Sequence, residues 1–186
     1  MIKKVIKPAE SKQQIIKKIL ASLPKQKHID SFASIYLNSF SLRALKKYPI
    51  HGHVSFIEDR FSFFKQHVKS PGKSQFSSPS AYKDQLITKR NFEYVYPDAS
   101  HILITLENLF RINNLRVTRL YHPIFHVTFT KSGAIQHIGP PKPDTPLISC
   151  AYIEFEDISD NTIIKQLKSK IDFHMHSIQS VSKDSK

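Results

Sequence analysis

The sequence predicts an α+β fold in which a helical N-terminal segment precedes an antiparallel sheet carrying two helices on one face. Apolar residues recur at three- and four-residue steps through the first 70 positions. A stretch rich in Pro, Ser and Gly follows, and alternating apolar and polar segments then interleave with two further amphipathic stretches. These features set a helical segment over residues 1–70, a linker over 71–88, an α+β domain over 89–180 and a disordered tail over 181–186.

The first helix is expected in "PAESKQQIIKKILAS", where Ile15, Ile16, Ile19 and Leu20 share a face behind a Ser11 able to cap it. "IDSFASIYLNSFSLRALKKY" repeats the spacing with Phe32, Ile35, Tyr36, Phe40, Leu42 and Leu45. Asp30 is its candidate N-cap, and Ser39 to Ser41 divides it into two helices. "HVSFIEDRFSFFKQHV" adds Phe56, Ile57, Phe61, Phe64 and Val68. Beyond the linker come a strand in "KRNFEYVYPD" and a helix in "ASHILITLENLFRIN" with Asp98 as N-cap. A hairpin, the Pro-rich loop "GPPKPDTP", a strand in "ISCAYIEFED" and a terminal helix over about 159–177 complete the order β-α-β-β-β-α.

The hairpin "LRVTRLYHPIFHVTFTKSGAIQHIG" alternates with period two, placing Val117, Phe125, Val127 and Phe129 on one face. Pro123 removes a ladder donor, so the long arm is expected to bend at Tyr121 to Pro123 at the margin of the sheet. Lys131, Ser132 and Gly133 supply the turn.

At 186 residues and 40% hydrophobic, the chain can bury a sizeable core. Its apolar runs stop well short of the roughly 20 residues a membrane helix needs, and the N-terminus lacks the apolar region of a signal peptide, so cytoplasm is the expected address. Cys150 is the only cysteine; it excludes an intrachain disulfide and is expected as a buried structural residue in a strand. The charge of +13 invites a nucleic-acid reading, but 22 of the 28 basic residues are Lys, and Arg is the residue of bidentate contacts and stacking. No RNP-like aromatic run, helix-turn-helix signal or zinc-finger spacing accompanies it, so a solvated basic surface is expected.

No two of Gly52, Gly72, Gly133 and Gly139 have the spacing of a dinucleotide fingerprint or a P-loop, and HExxH and GxSxG are absent. The expectation is therefore a chain without catalytic residues or cofactor. The pairs His51 and His53, His122 and His126, and His174 and His176 each offer at most two metal ligands, and structural roles are expected. Glu154 and Glu156 share a strand face, a geometry that suits two-carboxylate chemistry but more often pairs with basic side chains. The helix after Asp98 is the one expected binding feature, through backbone N–H groups of Ala99 to His101 that can hold a carboxylate or phosphate.

The run from Asp98 through "ASHILIT" and "LFRINNLRVTRLYHPIFHVTFTKSGAI" to "SCAYIEFED" resembles the N-terminal regulatory region of the large NAD-specific glutamate dehydrogenases. The His122-Pro123 kink, the Gly133 turn and the spacing back to Asp98 are in register with that family's pattern. A fainter likeness extends over residues 12–180. Ser100 replaces a family Pro, Ile104 and Thr105 replace an Asp-Ser pair, and Asn114 replaces a glycine while still tolerating left-handed geometry.

The resemblance implies an ACT-like, ferredoxin-like sensor domain, non-catalytic, whose dehydrogenase domain has no counterpart in these residues. It also implies an amino-acid ligand near Asp98, Ser100, His101 and Thr105, no metal, and either a separate catalytic glutamate dehydrogenase chain or a homo-oligomer as partner. A truncated or split gene product is the implied origin. The alternative is a small basic nucleic-acid-binding protein using Lys3, Lys4, Lys7, Lys17 and Lys18.

Overall fold

A six-stranded sheet, antiparallel at every neighbouring pair, lies between two helical layers. The structure is a computed structural model and describes residues 10–77, 90–156 and 161–184. Helices α1 (Lys12–Ala21), α2 (Ile29–Asn38), α3 (Leu42–Lys47) and α4 (Ile50–His67) come first. They are followed by β1 (Lys73–Ser77), β2 (Asn91–Pro97), α5 (Ile102–Ile112), β3 (Val117–Tyr121), β4 (Ile124–Phe129), β5 (Ile135–Gly139), β6 (Leu147–Phe155) and α6 (Asn161–Asp184). The α+β class predicted from the sequence is the class observed.

Ser11 caps α1 as expected. Its Oγ accepts the Gln14 N–H at 3.3 Å while Gln14 Oε1 accepts the Ser11 N–H at 2.8 Å, closing a capping box. Ser41 caps α3 by accepting the Ala44 N–H at 3.1 Å, which makes the Ser39 to Ser41 break real. Helix α2 departs from expectation, because His28 and not Asp30 occupies its cap position, with φ 70° and no side-chain cap. The His28 ring reaches instead to β5, its Nε2 lying 3.0 Å from the Ile135 carbonyl oxygen. Asp30 sits one position into the helix, where the dipole favours a carboxylate.

The sheet order is β1-β2-β6-β4-β5, with β3 alongside β4 on the same edge of β6. Strands β3 and β4 are thus two halves of one kinked strand, paired through Tyr121↔Tyr152 and Ile124↔Ser149. Between them the Pro123 carbonyl accepts the Cys150 N–H at 3.0 Å, but proline returns no donor, so the ladder drops a rung and the strand bends. The bend falls where an edge segment, β3, becomes an interior one, β4, which pairs with both β6 and β5. Gly133 at φ 77° and Asn114 at φ 56° supply the left-handed turns at the hairpin tip and ahead of β3.

Both faces of the sheet are covered. Phe92, Tyr94 and Tyr96 of β2 and Ala151, Ile153 and Phe155 of β6 pack against Ile102, Leu106 and Phe110 of α5 and Leu167, Ile171 and Met175 of α6. Val95, Cys150, Tyr152, Phe125 and Ile138 point the other way, into a core filled by α1 to α4. The two later helices share one face as expected, and the N-terminal helices form the opposite layer. Val117 departs from its expected face: it packs on the α5–α6 side while Phe125 and Val127 pack on the other. A bulge between Val117 and Arg119 shifts the register there.

The stretch 71–88, expected as a linker, begins with β1, which pairs with β2 from Lys73↔Val95 to Ser77↔Asn91; residues 78–89 lie outside the described residues. Helix α6 runs to Asp184, through the first four positions of the expected 181–186 tail, and Ser185 and Lys186 lie outside the described residues. Among the described residues no helix is long and apolar enough to cross a membrane.

Candidate functional site

The four residues singled out at the start of α5 lie within eight positions of one another on the segment that leaves β2. Asp98 remains tied to the sheet, donating its N–H to the Leu147 carbonyl at 2.8 Å, so it extends β2 and does not cap the helix. The cap position belongs to His101, at φ 72° and without a side-chain cap. The first donor inside the helix is the Thr105 N–H, bonded to the His101 carbonyl at 2.9 Å. The N–H groups at the helix end are accordingly those of Ile102, Leu103 and Ile104, one turn later than the Ala99 to His101 expected. Ser100 and His101 are exposed, whereas Asp98 and Thr105 are half-buried. Burial raises the Asp98 carboxyl above its ordinary value.

Behind this segment the strand kink aims His122 at β6. Its Nε2 meets Ser149 Oγ in a short hydrogen bond, and Ser149 Oγ lies 3.2 Å from the Tyr94 hydroxyl. Ser149 is fully buried, so no substrate reaches its hydroxyl, and the chain His122–Ser149–Tyr94 serves to hold the kink. Burial lowers the His122 pKa to about 4. A neutral imidazole held by a buried hydroxyl is a structural element, and a poor general base at neutral pH.

This has a measurable consequence. In the unfolded chain a histidine titrates near 6.5, so between pH 6.5 and about 4 the unfolded state binds the extra proton and stability falls as the pH is lowered. The loss attributable to His122 is about 2–3 kcal/mol across that window. Urea denaturation of the parent and of His122→Asn at several pH values checks it: the variant is expected to show a flatter slope. His53, also lowered by burial, adds to the slope in both proteins, and the difference between them isolates His122.

A cleft of about 560 Å³ opens on the other side of Tyr96, between the α4–β1 turn and α6. Ser70, Pro71, Gly72, Lys73 and Ser74 form one wall, and Lys168, Asp172 and His176 form the other. Gly72 has φ 133°, a conformation that side chains other than hydrogen rarely adopt, and its N–H is fixed on the Val95 carbonyl at 2.8 Å. Asp172 is the hub: Oδ1 accepts the Ser74 hydroxyl at 2.9 Å and Oδ2 accepts Lys168 Nζ one helical turn away. Burial, then the Asp172 carboxylate, raises the Tyr96 phenol above its usual range. Tyr96 also connects the cleft to the kink, since its ring stands 5.8 Å from that of Tyr94.

Sequence reading passed over this cleft. Its one local signal is the row Lys168, Asp172, His176 at four-residue steps on the polar side of α6. The partner Ser74 lies 98 positions away, a separation that only tertiary structure closes.

The paired glutamates and the cysteine resolve as structure. Glu154 is buried and takes Arg119 at 2.8 Å and the Tyr152 hydroxyl at 3.0 Å, while Glu156 is exposed and pairs with Arg116 at 3.1 Å. The two carboxylates thus have separate basic partners and share no site. Cys150 is buried in β6, and burial pushes its thiol well up, as suits an inert core residue. Of the lysines named for nucleic-acid binding, Lys3, Lys4 and Lys7 lie outside the described residues; Lys17 is exposed and Lys18 pairs with Glu10 at 2.6 Å. No family model, curated protein or solved structure matches this chain.

Proposed function

We propose that the chain is a non-catalytic regulatory or assembly domain that binds a small amino acid, of the kind implied by its resemblance to the N-terminal region of NAD-specific glutamate dehydrogenases. The reading rests on an open cleft that carries both charge signs, Lys73 beside the Lys168–Asp172 ion pair: a zwitterion enters by exchanging its ammonium for Lys168 on Asp172 and offering its carboxylate to the freed Lys168 and to Lys73. Hydroxyls of Ser70 and Ser74 and the Tyr96 ring complete a lining suited to a small zwitterion. A ligand there touches Tyr96, and through Tyr94 and Ser149 it bears on the His122-Pro123 kink. Regulation then consists of a shift between two arrangements of the α6 layer and the kinked strand, read by a homo-oligomeric or catalytic partner chain.

A thermal-shift screen of the chain against the twenty amino acids and a mixed oligonucleotide, at low and high salt, tests the proposal. One or a few amino acids are expected to stabilise the fold by about 2.7 kcal/mol at a hundred times their dissociation constant, and the effect is expected to survive salt. Lys168→Gln and Asp172→Asn are expected to abolish it, whereas Asp98→Asn separates this cleft from the start of α5. Stabilisation by the oligonucleotide alone, vanishing at high salt, overturns the reading in favour of a basic nucleic-acid-binding protein.

A further inference from the structure

On the outer part of the sheet, away from the cleft, two histidines from neighbouring strands come together. His126 of β4 pairs with Gly139 of β5, and His137 lies two residues before that glycine, hence on the same face. Their ring centres are 6.1 Å apart. His126 is only 9% exposed, and its Nδ1 is fully buried with no hydrogen-bond partner among the described residues. A buried imidazole nitrogen left without a partner is costly to fold, and a metal ion is one of the few things that satisfies it.

The glycine explains how the second ring arrives. A Cβ placed on Gly139 would stand 2.5 Å from His137 Nε2, so that nitrogen occupies the place where a side chain opposite His126 would begin. In an antiparallel pair such positions are about 4.5–5.5 Å apart, which brings His137 Nε2 within reach of the His126 ring. Two imidazoles that share one ion through bonds of about 2.0–2.1 Å each have their ring centre about 3.2 Å from it, so the centres are at most about 6.4 Å apart. The observed 6.1 Å lies under that ceiling and above the roughly 5.2 Å of a tetrahedral angle, so the exposed His137 ring closes by about 1 Å when it takes the ion.

We propose that His126 and His137 form a two-histidine site for a first-row divalent cation of the imidazole-preferring class, with Zn²⁺ as its representative, and that Gly139 exists to let the second ring in. Among the described residues no group of three His, Cys, Asp or Glu assembles there, so two protein ligands leave the other coordination positions open. The ion is held reversibly, and those positions accept water or a donor from another molecule. His122 and His126, four apart in the sequence and expected in structural roles, are not this pair, because His122 spends its Nε2 on Ser149.

Calorimetric titration of the full chain with ZnCl₂ tests the site, using His137→Ala, Gly139→Ala and the distant control His174→Ala. His137 and His174 are both exposed, so their removal leaves the core intact. The parent and His174→Ala are expected to bind one Zn²⁺ equally, and His137→Ala to lose the binding. Gly139→Ala keeps both ligands yet is expected to weaken binding by about tenfold or more, as positioning changes around metal ligands do. Absence of binding by the parent at millimolar Zn²⁺, or affinity in His137→Ala equal to that of the parent, overturns the proposal.

Discussion

Replacing Arg60 by Ala is expected to cost about 3–5 kcal/mol at pH 7, a large part of the stability of an ordinary domain. Arg60 of α4 reaches down to the sheet, where its Nε lies 2.9 Å from Glu93 Oε2, with side-chain exposures of 11% and 2%. The two atoms are close without the alignment of a directed hydrogen bond, so charge carries most of the attraction. Burial raises the Glu93 carboxyl above its ordinary value even with Arg60 opposing that shift and Gln75 donating to Oε1 at 2.6 Å. Desolvation therefore already outweighs pairing at this site, and removing the guanidinium leaves a buried carboxylate that must take up a proton to remain inside.

The same reasoning gives the sign of the pH dependence. Glu93 has a raised folded-state pKa, so its protonation favours the folded state, and the deficit of Arg60→Ala is expected to shrink as the pH falls towards 5. The double variant Arg60→Met, Glu93→Gln is expected to recover most of the loss. Methionine keeps apolar bulk where the Arg60 guanidinium lies over the Tyr152 ring, 4.9 Å from its centroid, and glutamine keeps an acceptor for Gln75. Urea denaturation of the parent, Arg60→Met, Glu93→Gln and their double variant closes a double-mutant cycle and measures the coupling; an Arg60→Ala cost below about 1 kcal/mol would show that the pair is as replaceable as a surface bridge.

How far the sequence reveals this layer depends on the distance over which each signal acts. Ser11, Ser41, Gly133 and Asn114 act within a few residues, and each is found where local pattern places it. Pro123 is also local, and its bend is present. Asp30 and Asp98 failed as caps because competing partners lie far along the chain: β5 holds His28 through Ile135, and Leu147 holds Asp98 in the ladder. β1 escaped because "KSQFS" has one large apolar residue, Phe76, and is a strand chiefly because β2 offers it an edge. Of the candidate site, the presence of the helix was legible and the cleft was not, since the two walls joined by Ser74 and Asp172 are 98 positions apart in the chain.

The division of the chain into a helical segment over residues 1–70 and a later α+β domain leads to the second large effect. Phe32 of α2 is fully buried and lies flat against Phe125 of β4, with ring centres 5.1 Å apart and planes within 4°. It also touches Phe61 and Phe64 of α4 at 5.2 and 5.1 Å. One ring thus joins two helices to a strand almost a hundred residues away, and Phe32→Ala is expected to cost about 3–5 kcal/mol. Were the helices an independent unit, that loss would fall on them alone, and amide exchange in β4 and β6 would be unchanged. Because the same core contains Val95, Cys150 and Tyr152, the expected result is a single denaturation transition, with faster exchange in the sheet as well. A chain begun at Ser70 sharpens the test: without α4 it exposes Phe125 and Tyr152 and strips Glu93 of its arginine, so it is expected not to fold. A folded sheet in that fragment would mean that the aromatic layer between α2 and β4 is dispensable, and with it the whole account of how the second face of the sheet is covered.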